Sequence, residues 1–444
     1  MDGIKSRGNQ LIIRQGDTVE TLIELCRQSD ADTVNWNHLH DPLSLRLDNR
    51  LIAALDAQAI EHRSFNGNLL LEPKTVLNKS AKPYRVFSAF WKACQQRGLS
   101  LDTIAVPDNM AANDTTLASL SLDQLGLLPN IPWDNGLQAT WQAGESQAYR
   151  MLDEFCEEGL QTYSQSRDYP AVPGTSRLSP HLHFGEISAR QVGAKIQAYG
   201  VSNTQPGILN ACEHYLRELG WREFAHYILF HFPDTAHSPF NQKYTNFPYR
   251  KDSHTLAAWN KGQTGFPIVD AGMRELWHTG SMHNRVRMIV ASLLTKHAQI
   301  HWLEGARWFW DTLVDADLAS NTMNWQWVAG CGVDASPYFR IFNPISQSKK
   351  FDPRGTYLRQ WLPELSRLPD RHIHAPCLTP DEILTEAGIT LGKTYPHPIL
   401  DLKQSREQAL TSYRRHILQR SEIKQSGEEF TDDPELSVSA RSSW

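Results

Sequence analysis

The stretch Asp315-Ala316-Asp317-Leu318-Ala319-Ser320-Asn321-Thr322-Met323-Asn324-Trp325-Gln326-Trp327 concentrates carboxylates, amides and two tryptophans in one short run. An unpaired buried polar group costs ~1–3 kcal/mol, so a plain apolar core does not recruit such residues. Asp317 and Asn321 are i, i+4 and share a face if the run is helical. Asp315 cannot share that face, which places it in a loop or at a helix start. A second run, Gly174-Thr175-Ser176-Arg177-Leu178-Ser179-Pro180-His181, is a hydroxyl-bearing turn leading toward a helix. Its hydroxyls and free backbone N–H groups suit a diphosphate, and by itself it reads equally as a capping loop. In a third, Leu216, Leu219 and Phe224 recur at helical spacing and put Glu218 and Trp221 on one face. Alone, that pair also describes a surface Glu beside a packed Trp. In a fourth, His283-Asn284-Arg285-Val286-Arg287-Met288, a helical face collects Asn284, Arg287 and Met288, which is also what a solvated edge would show.

The elements that must position these residues differ along the chain. Residues 10–110 alternate short strands (Leu11–Arg14, Thr33–Trp36, Glu61–Phe65) with helices (Thr18–Arg27, Asp48–Ala59), the pattern of a parallel α/β sheet. Residues 111–147 have no clear period and read as a connector. From 148 to 421 the pattern is predominantly helical. The segment 422–444 is polar and charged, as a disordered tail would be.

Composition sets further bounds. The 444 residues carry a net charge of −5, which excludes a uniformly basic nucleic-acid binder but allows a local basic patch. Six cysteines lie far apart with no Cys-x-x-Cys pair, so neither a zinc site, an iron–sulfur cluster nor a disulfide framework is expected. No metal is expected. Neither a signal peptide nor a run of ~18 apolar residues is present, and a cytoplasmic monomer is expected. Ten of the 14 tryptophans fall from Trp221 onward, in the region assigned to chemistry.

These strings together resemble the photolyase/cryptochrome family over about residues 10–415, with class I cyclobutane pyrimidine dimer photolyases the nearest match. The string Trp259-Asn260-Lys261-Gly262-Gln263-Thr264-Gly265-Phe266-Pro267-Ile268-Val269-Asp270 is nearly diagnostic of it. The resemblance implies a Rossmann-like parallel α/β domain followed by a large helical FAD-binding domain. It assigns the diphosphate of FAD to Thr175, Ser176, Arg177, Leu178 and Ser179, with Tyr163, Tyr215 and Arg222 as further cofactor contacts. Arg287 would pair with Asp315 beside the flavin, joined by Asp317, with Asn321 at the ring's N5. An amide there serves a reduced ring without adding charge and favours repair over signalling. Glu218, Trp221, Asn284, Arg285, Met288 and Trp327 would meet the lesion, and Arg167 and Gln347 the DNA. Arg340, Lys349, Lys350 and Arg354 cluster with the latter in sequence. Trp325, Trp302 and Trp259 match the family's electron-transfer triad, with Trp325 nearest the ring and Trp259 nearest solvent. Ser281 departs from the family, where Trp is common.

The beginning also departs. The family opens with strand–helix units absent here, and Gln10–Asp17 matches its third strand. On the order of 60 residues are thus unaccounted for, at ~30 per unit. An upstream start missed in the gene and a shortened domain are both open readings. Asp41 stands where a folate-binding carboxylate is common, but an ordinary loop reads as well, so methenyltetrahydrofolate or another antenna stays open. The expected activity is that of a deoxyribodipyrimidine photo-lyase acting on damaged DNA through FADH−. A cryptochrome-like photoreceptor is the alternative.

Overall fold

The computed structural model describes residues 4, 7–99, 101–108 and 117–418. The expected tail at 422–444 lies outside them.

The N-terminal region holds a two-stranded parallel sheet, β1 (Thr33–Asn37) beside β2 (Glu61–Phe65), in register Thr33↔Glu61. Helix α1 (Thr18–Ser29) begins on Asp17, whose carboxylate accepts the Val19 and Glu20 N–H groups. Helix α2 (Pro42–Ala57) connects the strands and packs on α1 through Val19, Leu51 and Leu55. The sequence reading started α2 six residues late. Asp41 caps it, accepting from Leu43 N and Ser44 N at 3.0 Å each, and Pro42 occupies the first turn, where its missing N–H costs nothing. The strand expected at Leu11–Arg14 is not formed. Ile13 bonds to Leu120 and Ser119 instead, and no strand among the described residues flanks it to complete a ladder.

The helical body is built on α5 (Ile208–His231), 24 residues long, after α3 (Phe87–Arg97) and α4 (Glu145–Glu154). Leu219 to Leu229 of α5 is buried nearly all round, with Arg222 half-buried, as a central helix must be. Gly220 lets α3 approach: a Cβ there would stand 2.6 Å from the Trp91 ring. The chemistry-bearing runs lie on α6 (Pro267–Thr279), α7 (Asn284–Ser292), α8 (Trp302–Thr312) and α9 (Leu318–Ala329), with α10 (Pro344–Phe351) beyond. Gly305 plays the same part between α8 and α9, since a Cβ would stand 2.1 Å from the Trp325 ring.

The described part of the expected connector packs on this body. Trp141 Nε1 donates to Thr279 O (2.7 Å), and Gly136 lies against His278. Two buried contacts tie the α/β region to α5. Glu223 accepts the Leu70 N–H at 2.9 Å and the Leu71 N–H at 3.4 Å, and Tyr227 Oη donates to Val76 O at 2.8 Å. Near them His38 Nε2 and His40 Nε2 both meet the Glu72 carboxylate, at 2.9 and 3.3 Å. Among the described residues this is the only cluster with metal-ligating atoms, and those atoms are already paired with one another.

Candidate active site

A cavity of about 1630 Å³ opens between α5, α7, α8 and α9, above the ~300–1,000 Å³ usual for a small-ligand pocket. Four separate sequence runs converge on it.

One side is the hydroxyl turn. Thr175, Ser176, Arg177, Leu178 and Ser179 all line the cavity. Tyr215 Oη donates to Ser176 Oγ (2.8 Å), fixing that hydroxyl from α5. Arg177 adopts φ +54°, and its guanidinium sits 4.8 Å over the Trp141 ring. Trp141 also lines the cavity, a contribution the sequence reading missed because it treated 111–147 as linker.

The opposite side is the start of α9. Asp317 caps that helix, accepting from Ser320 N at 2.6 Å, so Asp315 falls in the preceding turn as its spacing required. Arg287 of α7 reaches Asp315 at 3.2 Å, and its Nε donates to Met282 O at 2.7 Å. Asn321 Nδ2 donates to Ala306 O (2.9 Å), leaving Oδ1 as the group this residue offers the cavity. His226, one turn beyond Arg222, faces Asp317 at 3.5 Å. Burial pushes the His226 imidazole down to about 4, against the pull of Asp317, so it is neutral near pH 7. Burial works against ionisation of Asp317, yet the charge that His226 carries when protonated and the Ser320 N–H hold its carboxyl below the usual range. The spacing Glu218–Arg222–His226, at i, i+4 and i+8, was the available signal for His226. Arg222 lines the cavity with its guanidinium held by the side chain and carbonyl of Asn68.

The same cavity takes in most of the residues expected at the lesion. Glu218, Trp221, Asn284, Met288 and Trp327 line the cavity. Trp221 is backed by Phe87, stacked at 3.6 Å between ring centroids. Glu218 forms a short ion pair with buried Arg167, which also lies over the Tyr163 ring. That pair raises the Arg167 pKa against the opposing effect of burial. Arg285 and Gln347 stand apart from the lining. Arg285 pairs with Asp168 (2.7 Å) and lies over Phe351, while Gln347 is half-buried on α10. Of the cations near it in sequence, Arg340, Lys349, Lys350 and Arg354 are exposed. His283, at the start of α7, is held neutral by burial, down to about 4.

The tryptophans depart from expectation at one point. Trp325 lines the cavity and abuts α8 at Gly305, as its place nearest the ring required. Trp302 is fully buried one turn earlier on the same face of α8. Trp259, expected nearest solvent, is only 1% exposed. It packs against Trp325 (6.1 Å) and Phe309 (6.2 Å), and its Nε1 donates to Val290 O (3.0 Å). The helix Ser253–Asn260 turns Trp259 inward onto the core beside α6 and α7.

Family models describe residues 2–108 as DNA photolyase and residues 215–415 as the FAD binding domain of DNA photolyase. The chain is 44% identical to a deoxyribodipyrimidine photo-lyase of Agrobacterium fabrum, over 92% of this chain and 85% of that one. It is 37% identical to cryptochrome-2 of Arabidopsis thaliana, over 91% of this chain and 68% of that one. Its structure superposes on a bacterial class III photolyase from Agrobacterium tumefaciens with a TM-score of 0.89 at 44% identity, covering 93% and 85% of the two chains. A Synechocystis cryptochrome gives 0.84 at 30% identity, covering 92% and 85%. The fold and site are thus those of a flavin-binding photoprotein. The chain belongs to the photolyase/cryptochrome family.

FAD is the cofactor of this family's helical domain. The donor set fits it: hydroxyls on one side of the cavity, an Arg–Asp pair and an amide oxygen on the other. His226, buried and facing Asp317 at 3.5 Å, adds a polar side chain to the same cavity lining.

Proposed function

We propose that this chain repairs cyclobutane pyrimidine dimers in DNA by light-driven electron transfer, as a deoxyribodipyrimidine photo-lyase acting as a cytoplasmic monomer. Residues 1–110 form its α/β domain and 148–421 its catalytic helical domain. One observation carries the reading: Glu218, Trp221, Met288 and Trp327 share a cavity with Arg287, Asp315 and Asn321. Lesion-facing and flavin-facing groups therefore stand within one enclosure.

Reduced FAD, when bound, supplies the light absorption and the electron. Thr175, Ser176 and Ser179 offer hydroxyls to its diphosphate, and Tyr215 holds the Ser176 hydroxyl in place. Arg287 and Asp315 would hold the ring, and the Asn321 Oδ1 would be the acceptor offered to it. Trp221 and Trp327 are aromatic walls for bases that leave the stack, which a damaged pair does at lower cost. Glu218 must exchange Arg167 for the bases it hydrogen-bonds. Arg167 is then free for a phosphate beside the lesion, joining the cations of the rim.

Met288 favours the cyclobutane dimer over the (6-4) photoproduct, because its thioether is apolar where that product demands a proton donor. The test sets duplexes carrying each lesion against purified, photoreduced protein under blue light. Loss of the cyclobutane dimer alone is expected. Loss of the (6-4) product would overturn the substrate assignment, and flavin photoreduction with both lesions intact would make the chain a photoreceptor.

A further inference from the structure

A second polar cluster stands where the α/β region meets α5. The chain leaves β1 with the His38 N–H donating to Phe65 O at 3.0 Å. His38 and His40, two residues apart, reach the same carboxylate, as alternation along an extended chain allows. Glu72 Oε1 lies 2.9 Å from His38 Nε2, and Glu72 Oε2 lies 3.3 Å from His40 Nε2. One ligand atom from each of the three residues falls within 4.8 Å of the others. Glu72 belongs to an anchored segment: Leu70 and Leu71 bond to Glu223, and Thr75 Oγ1 donates to Glu72 O at 2.8 Å. His40 lines the flavin cavity, while His38 and Glu72 lie outside its lining.

We propose that His38, His40 and Glu72 form a binding site for an exchangeable divalent transition-metal ion, with zinc as its simplest occupant. The inference goes beyond the repair reaction and does not depend on it. Ligand atoms ~2.0–2.1 Å from a tetrahedral zinc stand about 3.3 Å from one another, and the two nitrogen–oxygen separations are already close to that spacing. The ion takes the place of the two hydrogen bonds to Glu72. It ties the end of β1 to the segment that docks on α5.

The donors select the ion. Two imidazoles and one carboxylate suit zinc, iron, copper or nickel, whereas magnesium and calcium seek oxygen ligands. Each ring turns Nε2 to a carboxylate oxygen, so a neutral ring carries its proton there. Coordination through Nε2 needs that proton on Nδ1, and neither Nδ1 has a hydrogen-bond partner among the described residues to oppose it. No proton is released and the carboxylate stays ionised. Neither Nδ1 faces an acceptor, a support usually worth about 10–100-fold in metal affinity, so the ion exchanges with solvent. The path runs past the side chains of His38 and Glu72, 17% and 26% exposed, since that of His40 is 3% exposed.

The experiment is equilibrium dialysis of the full-length flavoprotein against zinc near neutral pH, after chelator treatment, comparing wild type, H38A, E72Q and H62A. Wild type should take up one zinc per chain and lose it again to chelator. H38A and E72Q should each weaken uptake by about tenfold or more. H62A removes a histidine of β2 that pairs with Asp56 instead, and should bind as wild type does. E72Q preserves side-chain shape, and its flavin content reports that it has folded. Amide exchange locates the ion: zinc at 100 times its Kd should suppress opening of residues 38–41 and 70–76 by up to about 100-fold. Uptake unchanged in both H38A and E72Q, or lost equally in H62A, overturns the proposal. So does magnesium bound as tightly as zinc, or a wild type that binds zinc no better than E72Q.

Discussion

Glu223→Gln isolates the link between the α/β region and α5. Glu223 is 4% exposed, and its carboxylate accepts the amides of Leu70 and Leu71 while standing 3.7 Å from Arg222. Burial dominates and pushes its pKa from 4.5 up to about 7. A raised carboxyl pKa means stability present below about 4.5 and lost as pH rises through 7, since the unfolded state ionises first. At ~1.4 kcal/mol per pKa unit, the wild type forfeits on the order of 3 kcal/mol across that window. The Gln oxygen can still accept both amides and carries no charge to strand. The variant should therefore match the wild type near pH 5 and exceed it by roughly 2–3 kcal/mol at pH 8. Denaturant unfolding of both flavoproteins from pH 5 to 8 gives that difference directly. A difference that stays flat with pH would refute the argument, because it would mean Glu223 folds already ionised.

Acid should release the flavin. His226 and His283 are both held near 4 by burial, so stability falls as pH drops from about 6.5 to about 4, where only the unfolded state takes up the protons. Flavin fluorescence against pH should show loss in that window and none between 7 and 8. Arg287→Ala strands Asp315, whose side chain is 7% exposed. Breaking a buried pair costs ~3–5 kcal/mol, so purified protein should carry little flavin, as its absorbance ratio would show. Trp327→Ala removes one aromatic wall of the cavity. At ~1–3 kcal/mol per stacked base, affinity for dimer-containing duplex should fall about 5- to 150-fold with undamaged duplex little changed, read by competition gel shift. Lys296 lies buried with its Nζ donating to Arg340 O (2.9 Å), and burial lowers its pKa to about 7. Lys296→Met should therefore stabilise the protein more at pH 6 than at pH 9, checked by thermal unfolding at both.

Much of this site was legible in the chain because it is carried by local spacing. Asp315, Asp317 and Asn321 were separated correctly by helical periodicity alone, and the structure adds only that Asp317 is the cap. The shared face of Asn284, Arg287 and Met288 followed the same rule, and all three reach the cavity while Arg285 between them does not. Long-range partners were not legible. Nothing local says that Arg167 meets Glu218, 51 residues on, or that Trp141 underlies Arg177. The same holds for Trp259, whose burial depends on how the helix Ser253–Asn260 docks against α6 and α7. The strand expected at Leu11–Arg14 failed for a related reason, since an apolar run becomes a strand only beside a partner.

The central claim is that the lesion and the flavin meet in one cavity of this chain. The most direct measurement is repair of a thymine-dimer oligonucleotide by purified, chemically reduced protein, under blue light and in darkness. The account predicts dimer loss in the light and none in the dark. Intact dimers after illumination of flavin-loaded protein would contradict it.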